Sequence, residues 1–364
     1  MKLLVHVPDI IQNEGRPIVP LLRPFYDLPP LDKTFPWSQG SVFANYINNA
    51  ENYFELAPAN QADIVIFPFD WCWVRGFSWR ERDDQEAKRR FIELYRSVEG
   101  SGKPISAFFS GDRSCEKIPL DNATLFRQSA YKSRAESKSC FAFPAFVEDF
   151  VASYLSNEPV LREKSPVPVV SFCGLANPPN ITSHIKSVVY QIDTLMRLGH
   201  TDVVPAKGEN LRSRILRTVT DSSLVKSSFI VRDQNLFIGA DDTNSKVKLR
   251  EEFIGNVLES DYVLCCRGSG NYSYRLYETL SLGRIPIIID TDIALPFDDL
   301  IDWKQHAIWV SERDIDLLPE IVAEFHERIT PAQFKELQEE NRRLWQTWLS
   351  PEGFFGNFFR FFQS

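Results

Sequence analysis

Short apolar runs recur along the chain, and most are followed by a stretch with helical spacing. In the first half, Leu3–Val7, Asp63–Phe67, Pro104–Phe109 and Ser139–Phe143 read as buried strands. Between them, Ser41 opens a short helix to about Asn52, and a charged helix runs from about Asp83 to Ser97. Pro17–Pro36 carries turn residues throughout and reads as a surface loop. The rhythm restarts after Pro168, with strands at Val169–Cys173, Ser228–Val231, Tyr262–Cys265, Ile285–Ile289 and His306–Val310. Helical spacing covers Ile181–Leu198, Leu211–Val219, Val247–Leu258, Tyr272–Leu282, Ile315–Glu327 and Pro331–Leu349. Strands alternating with helices predict parallel sheets covered on both faces.

Asn157–Pro168 breaks this rhythm with charges and three prolines, and reads as a linker. The expected organisation is a Rossmann-like N-terminal domain over 1–160 and a second over 161–330. C-terminal helices over 331–364 then pack back across both. Two consecutive doubly wound domains place a ligand cleft at the C-terminal ends of their strands. A length of 364 residues suits two cores better than one.

Composition narrows the function. The net charge of −8 and pI near 5.3 argue against a nucleic-acid surface, yet leave room for a small cationic site. The six cysteines show no metal-ligand spacing and read as buried thiols in a reducing compartment. No apolar run reaches membrane-spanning length, and the N-terminus lacks a secretory core, so a cytoplasmic location is expected.

The stretch from Ser260 to Trp303 holds the candidate chemistry. A strand leads through Arg267, Gly268, Ser269 and Gly270 into a helix, whose free N–H groups favour an anion. Gly268, Gly270 and Ser273 approach a dinucleotide fingerprint, and Asp290 stands where a ribose-binding acid belongs. An NAD(P)-dependent oxidoreductase is therefore one reading. The missing third glycine, the flanking arginines and the crowd of acids at the rim count against it.

Cys265, Arg267, Gly268, Ser273, Arg275, Glu278, Gly283, Pro286, Leu295, Pro296, Phe297, Asp299 and Trp303 follow one another at a particular spacing. That pattern resembles the C-terminal signature of exostosin-like glycosyltransferases. A fainter likeness extends to ADIVIFPFD at 62–70 and to VVSFCG at 169–174. Cys266, Thr279 and Arg284 depart from the family pattern without removing a charged group it uses. The resemblance implies a two-Rossmann-domain (GT-B) glycosyltransferase with a nucleotide-sugar donor in the second domain, UDP-sugar foremost. It also implies a glycan or lipid-linked glycan acceptor in the first domain, inversion at the anomeric carbon, and no metal or cofactor. With no membrane anchor in the chain, bacterial polysaccharide biosynthesis is the expected setting. A non-catalytic glycan- or nucleotide-binding protein on the same scaffold is the other alternative.

In such an enzyme the expected donor-binding residues are Arg267, Gly268, Ser269, Ser273, Arg275 and Glu278. Guanidinium groups suit phosphate oxygens, and Glu278 suits ribose hydroxyls. The plainer alternative for Glu278 is an i,i+3 ion pair with Arg275. An inverting displacement also needs a base. Asp112 and Asp70 each follow a predicted strand of the first domain, with Asp112 preferred and Glu148 and Asp149 next. The plainer role for each is a turn or helix cap. Asp290/Asp292, Asp241/Asp242 and Asp298/Asp299 read as solvated loop acids rather than metal ligands. Of the five histidines only His6 ends a strand at the expected cleft. Phe354, Phe355, Phe358, Phe359 and Phe362 share a helical face and are expected to pack as core. A membrane-surface helix would need a basic face, and only Arg360 is available there.

Overall fold

A computed structural model describes residues 1–8, 18–75, 84–134, 139–176, 205–232 and 243–363, with positions 185, 188, 189, 192 and 196 besides. It divides into two compact units. Unit 1 contains 1–148, 292–297 and 346–364, and unit 2 contains 149–291 and 298–345.

Unit 1 is built on six parallel strands in the order β2-β1-β3-β4-β5-β6. They are β1 (Leu3–His6), β2 (Phe54–Leu56), β3 (Ile64–Ile66), β4 (Ile105–Phe109), β5 (Ala123–Arg127) and β6 (Cys140–Ala142). The central strands β3 and β4 are buried at every position, as a parallel sheet covered on both faces requires. Helix α1 (Gln85–Glu99) starts where the Asp84 side chain accepts the Ala87 N–H, and its buried face is Ala87, Phe91, Tyr95 and Val98. Phe91 stacks on Phe67 of the β3 end at 4.5 Å.

The C-terminal phenylalanines complete this unit's core. Phe354, Phe355 and Phe358 are buried, and Phe126 of β5 lies 4.8 Å from Phe358 and 5.0 Å from Phe361. Phe297 stacks on Phe361 at 4.8 Å and holds a left-handed φ of +54°. For a bulky side chain that conformation is strained, and buried aromatic contacts offset it. Asp292, at φ +63°, accepts the Ser133 N–H and hydroxyl, and Ile293 bridges to Tyr131. Asp292–Phe297, read from sequence as part of an acidic rim, is thus a clip inserted into unit 1.

Unit 2 holds five parallel strands in the order β11-β10-β9-β7-β8. These are β7 (Val169–Leu175), β8 (Lys226–Arg232), β9 (Tyr262–Cys265), β10 (Ile285–Asp290) and β11 (Ile308–Ser311). Helices α2 (Pro205–Thr220), α3 (Thr243–Leu258), α4 (Tyr274–Ser281), α5 (Leu318–Arg328) and α6 (Pro331–Leu344) connect or cover them. One apolar cluster joins Phe172, Ile215, Val219, Leu264, Ile287, Val310 and Val322 across sheet and helices. Pro331 at the first turn and a reciprocal Thr330–Gln333 capping box start α6. The expected helix Ile181–Leu198 falls largely outside the described residues, as do Asp241 and Asp242.

The division between units falls at 148/149, before the expected linker Asn157–Pro168, which lies within unit 2. Asp261 explains why that polar segment is held. Fully buried, it accepts from Arg162 Nε at 3.0 Å, Ser165 N–H at 3.3 Å, Ser165 Oγ at 3.1 Å and Val169 N–H at 2.8 Å. Beside it Arg284, 1% exposed, donates to the Val160 and Leu258 carbonyls and to Gln338 Oε1. Burial, and then the neighbouring Arg162, pull its pKa down to about 10.

His326 is a buried switch in the same region. Its Nε2–H donates to the Ser165 carbonyl at 2.7 Å, which leaves Nδ1 to accept the Tyr262 hydroxyl at 2.8 Å. The ring is therefore neutral, and burial holds its pKa below the ordinary value of 6.5. The unfolded chain binds a proton here at about pH 6.5, before the folded one does, so stability falls as pH drops through that value. Thermal melts should show the wild type losing its advantage over His326→Gln between pH 7.5 and 5.5. The loss is bounded at about 1.4 kcal/mol at pH 5.5. A pH-independent difference would rule this protonation out.

Candidate functional site

The connectivity of unit 2 picks out one place for a ligand. From β7 the chain passes through α2 to β8 on one side, then through α3 to β9 on the other. The crevice outside the C-terminal ends of β7 and β9 is the topological switch point, where open parallel sheets bind ligands. The turn after β9 and the N-terminus of α4 border it. Ser273 has the extended backbone of an N-cap, but its hydroxyl caps nothing, and it is nearly buried.

Arg275, in the first turn of α4, extends back to the end of β7. Its guanidinium carbon lies 4.9 Å from the centre of the Phe172 ring and 5.6 Å from that of Phe253. Gly174, at φ +151°, makes room for it, since a Cβ there would sit 3.0 Å from Arg275 Nη2. Arg275 Nε is buried and has no hydrogen-bond partner among the described residues. A cation over an aromatic ring with an unused buried donor is poised for an anion.

Arg267 is placed differently. It is 3% exposed and its three nitrogens point into its own turn, toward the Gly268 carbonyl, Asn271 Oδ1 and the Ser269 carbonyl. Asn271, which the sequence reading passed over, also accepts the Thr291 hydroxyl at 2.6 Å. Arg267 and Asn271 together tie the turn to the end of β10. Gly268 and Ser269 thus contribute carbonyls that shape the loop.

Glu278 is nearly buried and accepts from Arg250 Nη1 on α3 at 3.0 Å. The i,i+3 pair with Arg275 is not what occupies it. Arg250 itself lies over the Phe150 ring at 4.9 Å. Asp290 accepts the Trp309 indole N–H at 3.0 Å, which uses an oxygen that a dinucleotide ribose would need. Burial pushes the Cys265 thiol up to about 12 and raises Cys173 despite Arg232 and Arg275 nearby, so both are neutral, unreactive thiols.

A second arginine borders the crevice and was missed in the sequence. Arg212, on α2, donates from Nη1 to the Leu175 carbonyl at 3.0 Å. Its Nε is buried without a partner among the described residues, and its Nη2 would lie 3.5 Å from a Cβ on Gly268. In the sequence it is one of several arginines on a helix, and only the Gly208–Gly268 approach signals its place. A Cβ on Gly208 would come within 2.6 Å of the Gly268 carbonyl carbon, so α2 runs directly against the turn.

In unit 1 the candidate bases separate. Asp70 Oδ1 accepts the Cys72 N–H at 2.8 Å and the Ser110 N–H at 2.9 Å, and Oδ2 accepts the Ser110 hydroxyl. It is a turn residue tying β3 to β4. Asp112 is exposed on the turn after β4, with no hydrogen bond to its carboxylate among the described residues. Glu148, the last residue of this unit's first stretch, is buried, while Asp149 already belongs to unit 2, where it caps the helix Phe150–Tyr154 and pairs with Arg342. His6 Nδ1 donates to the Ala57 carbonyl at 3.3 Å. Among the described residues no three His, Cys, Asp or Glu side chains are grouped to hold a metal. No described helix is long and apolar enough to cross a membrane.

Residues 202–325 match the Exostosin GT47 domain, a span that includes Arg212, Arg267, Arg275 and Glu278. The "Exostosin-1 homolog" of Caenorhabditis elegans is 35% identical over 100 residues, 28% of this chain and 25% of that protein. The "Probable glucuronosyltransferase 47 A" of Physcomitrium patens is 38% identical over 73 residues, 20% of this chain and 16% of that protein. The chain thus spans a quarter or less of the length of these relatives. Among solved structures, the crystal structure of TarM aligns over 75% of this chain and 58% of its own. The identity is 10% and the TM-score 0.29, too low to carry an argument.

Proposed function

We propose, taking the exostosin match as the premise, that this chain is a glycosyltransferase moving a sugar from a nucleotide-sugar donor to a glycan acceptor. The observation that carries the proposal is Arg275, with its buried unpartnered Nε, at the switch point of unit 2. Glycosyl transfer needs the departing nucleoside diphosphate stabilised, and guanidinium donors aimed from a helix N-terminus do this without reorganising. In this reading Arg275 binds the phosphates, Arg267 and Asn271 hold the glycine turn in shape, and Ser273 leaves the first N–H groups of α4 to the ligand. The Glu278 oxygen not taken by Arg250 accepts from the ribose hydroxyls.

For an inverting displacement, Asp112 takes the proton of the acceptor hydroxyl. That oxygen attacks the anomeric carbon as the bond to the phosphate oxygen breaks, and the nucleoside diphosphate leaves. Asp112 suits the task better than Asp70, whose carboxylate already accepts three hydrogen bonds. UDP-sugars are the donors we put first, following the sequence resemblance. A cytoplasmic, bacterial setting stays outside the proposal, since both relatives named above are eukaryotic. The oxidoreductase reading loses support from the bond between Asp290 and Trp309.

The test is a thermal-shift panel of UDP, UDP-, GDP- and CMP-sugars, and NAD(H). Stabilisation by UDP and UDP-sugars is expected; stabilisation by NAD(H) alone would sink the proposal. Binding without turnover on any glycan acceptor would favour the non-catalytic alternative. With turnover in hand, Asp112→Asn should lower it by about 10²–10⁴-fold while leaving UDP binding intact. Near-normal turnover would remove Asp112 from the mechanism.

A further inference from the structure

We propose that Arg212 is the second cation of this donor site, gripping the leaving-group phosphates opposite Arg275 in the part that sequence order assigns to Arg267. The inference rests on the donor-site reading above.

Five other arginines of unit 2 carry an acid partner. Arg162 pairs with Asp261, Arg214 with Asp316, Arg232 with Glu252, Arg250 with Glu278 and Arg342 with Asp149. Arg214 makes its pair only two residues from Arg212 on the same helix. Neither Arg212 nor Arg275 has an acid partner among the described residues, and each has a buried Nε without an acceptor. Arg284 shares both features, but it precedes β10, at the opposite end of the sheet from the crevice, and its other nitrogens donate to Val160, Leu258 and Gln338. Arg267 instead turns its guanidinium into its own loop.

Arg212 and Arg275 converge. Arg275 reaches Gly174 from α4, and Arg212 reaches Leu175 from α2, so they flank consecutive residues at one strand end. Arg212 Nη2 also lies along Gly268, the first glycine of the turn. Two like charges held near one strand end, each with unused donors, repel one another until an anion bridges them. A pyrophosphate group, with charge on two phosphorus centres, offers oxygens to both. Gly208 makes the arrangement specific to this packing, because any side chain there would push α2, and Arg212 with it, off the turn.

The competing account makes Arg212 a strut that ties α2 to β7 through the Leu175 carbonyl. Titrating UDP and inorganic pyrophosphate into the wild type, Arg212→Gln, Arg212→Lys and Arg267→Gln separates the two. A phosphate contact predicts that Arg212→Gln weakens UDP and pyrophosphate binding about 10–100-fold. Its ligand-free melting temperature should stay close to wild type, and Arg212→Lys should recover part of the affinity and of its salt dependence. Arg267→Gln should instead lower the ligand-free melting temperature. UDP binding by Arg212→Gln within twofold of wild type overturns the inference while leaving the donor site standing. So does a stability loss common to Arg212→Gln and Arg212→Lys that accounts for all of the lost affinity. Failure of the wild type to bind UDP or pyrophosphate overturns the donor-site reading and this inference together.

Discussion

Arg275→Gln is expected to lower glycosyl transfer by about 10²–10³-fold, the scale on which one preorganised oxyanion donor acts. Each charge-assisted hydrogen bond to a phosphate oxygen contributes about 1.5–3 kcal/mol, so much of that loss should already appear as weaker UDP binding. The ligand-free protein should tolerate the change. Arg275 lies against Phe172, and among the described residues it has no salt bridge and its Nε has no acceptor. Removing it forfeits a cation–π contact of about 0.5–1 kcal/mol but also relieves a partly desolvated charge. Initial rates, UDP titration and ligand-free melting separate these terms. A melting temperature several degrees lower with undiminished UDP affinity would make Arg275 a structural residue.

Asp261→Ala should be among the costliest substitutions for stability, at about 3–5 kcal/mol. The fully buried side chain gathers four donors from Arg162, Ser165 and Val169, and so ties down the segment that leads into β7. Its loss also leaves Arg162 beside the buried Arg284, which already sits below its ordinary pKa partly through that neighbour. The expected readout is a lower denaturation midpoint together with new protease cleavage within 157–168. A variant within 1 kcal/mol of wild type and equally resistant to protease would show that the segment is held by something else.

Strands whose apolar runs are unbroken were readable in advance: Val169–Leu175, Tyr262–Cys265 and Ile285–Asp290 all appear where periodicity places them. β2 and β5 were not readable, because Phe-Glu-Leu is a three-residue edge strand and Ala123–Arg127 follows a turn with too few apolar residues to stand out. In the site, local order pointed to Arg267, since it adjoins the glycines. Space brings Arg212, 55 positions before it, to the same turn, because α2 packs there through a glycine-to-glycine contact. Glu278 shows the same limit. Its neighbour along the helix was Arg275, whereas its partner is Arg250, brought by a different helix. Sequence spacing reports faces of one element; it is silent on which elements meet.

The clip at Asp292–Phe297 gives the chain a schedule. The first 148 residues emerge before the core they belong to can be completed, because Phe297 and Phe354–Phe361 are still to be made. At ~5–20 residues per second of synthesis, Phe126 waits for its aromatic partners for roughly tens of seconds. Unit 1 begins first and is completed last, so nascent chains halted between the units should present its open aromatic face to chaperones.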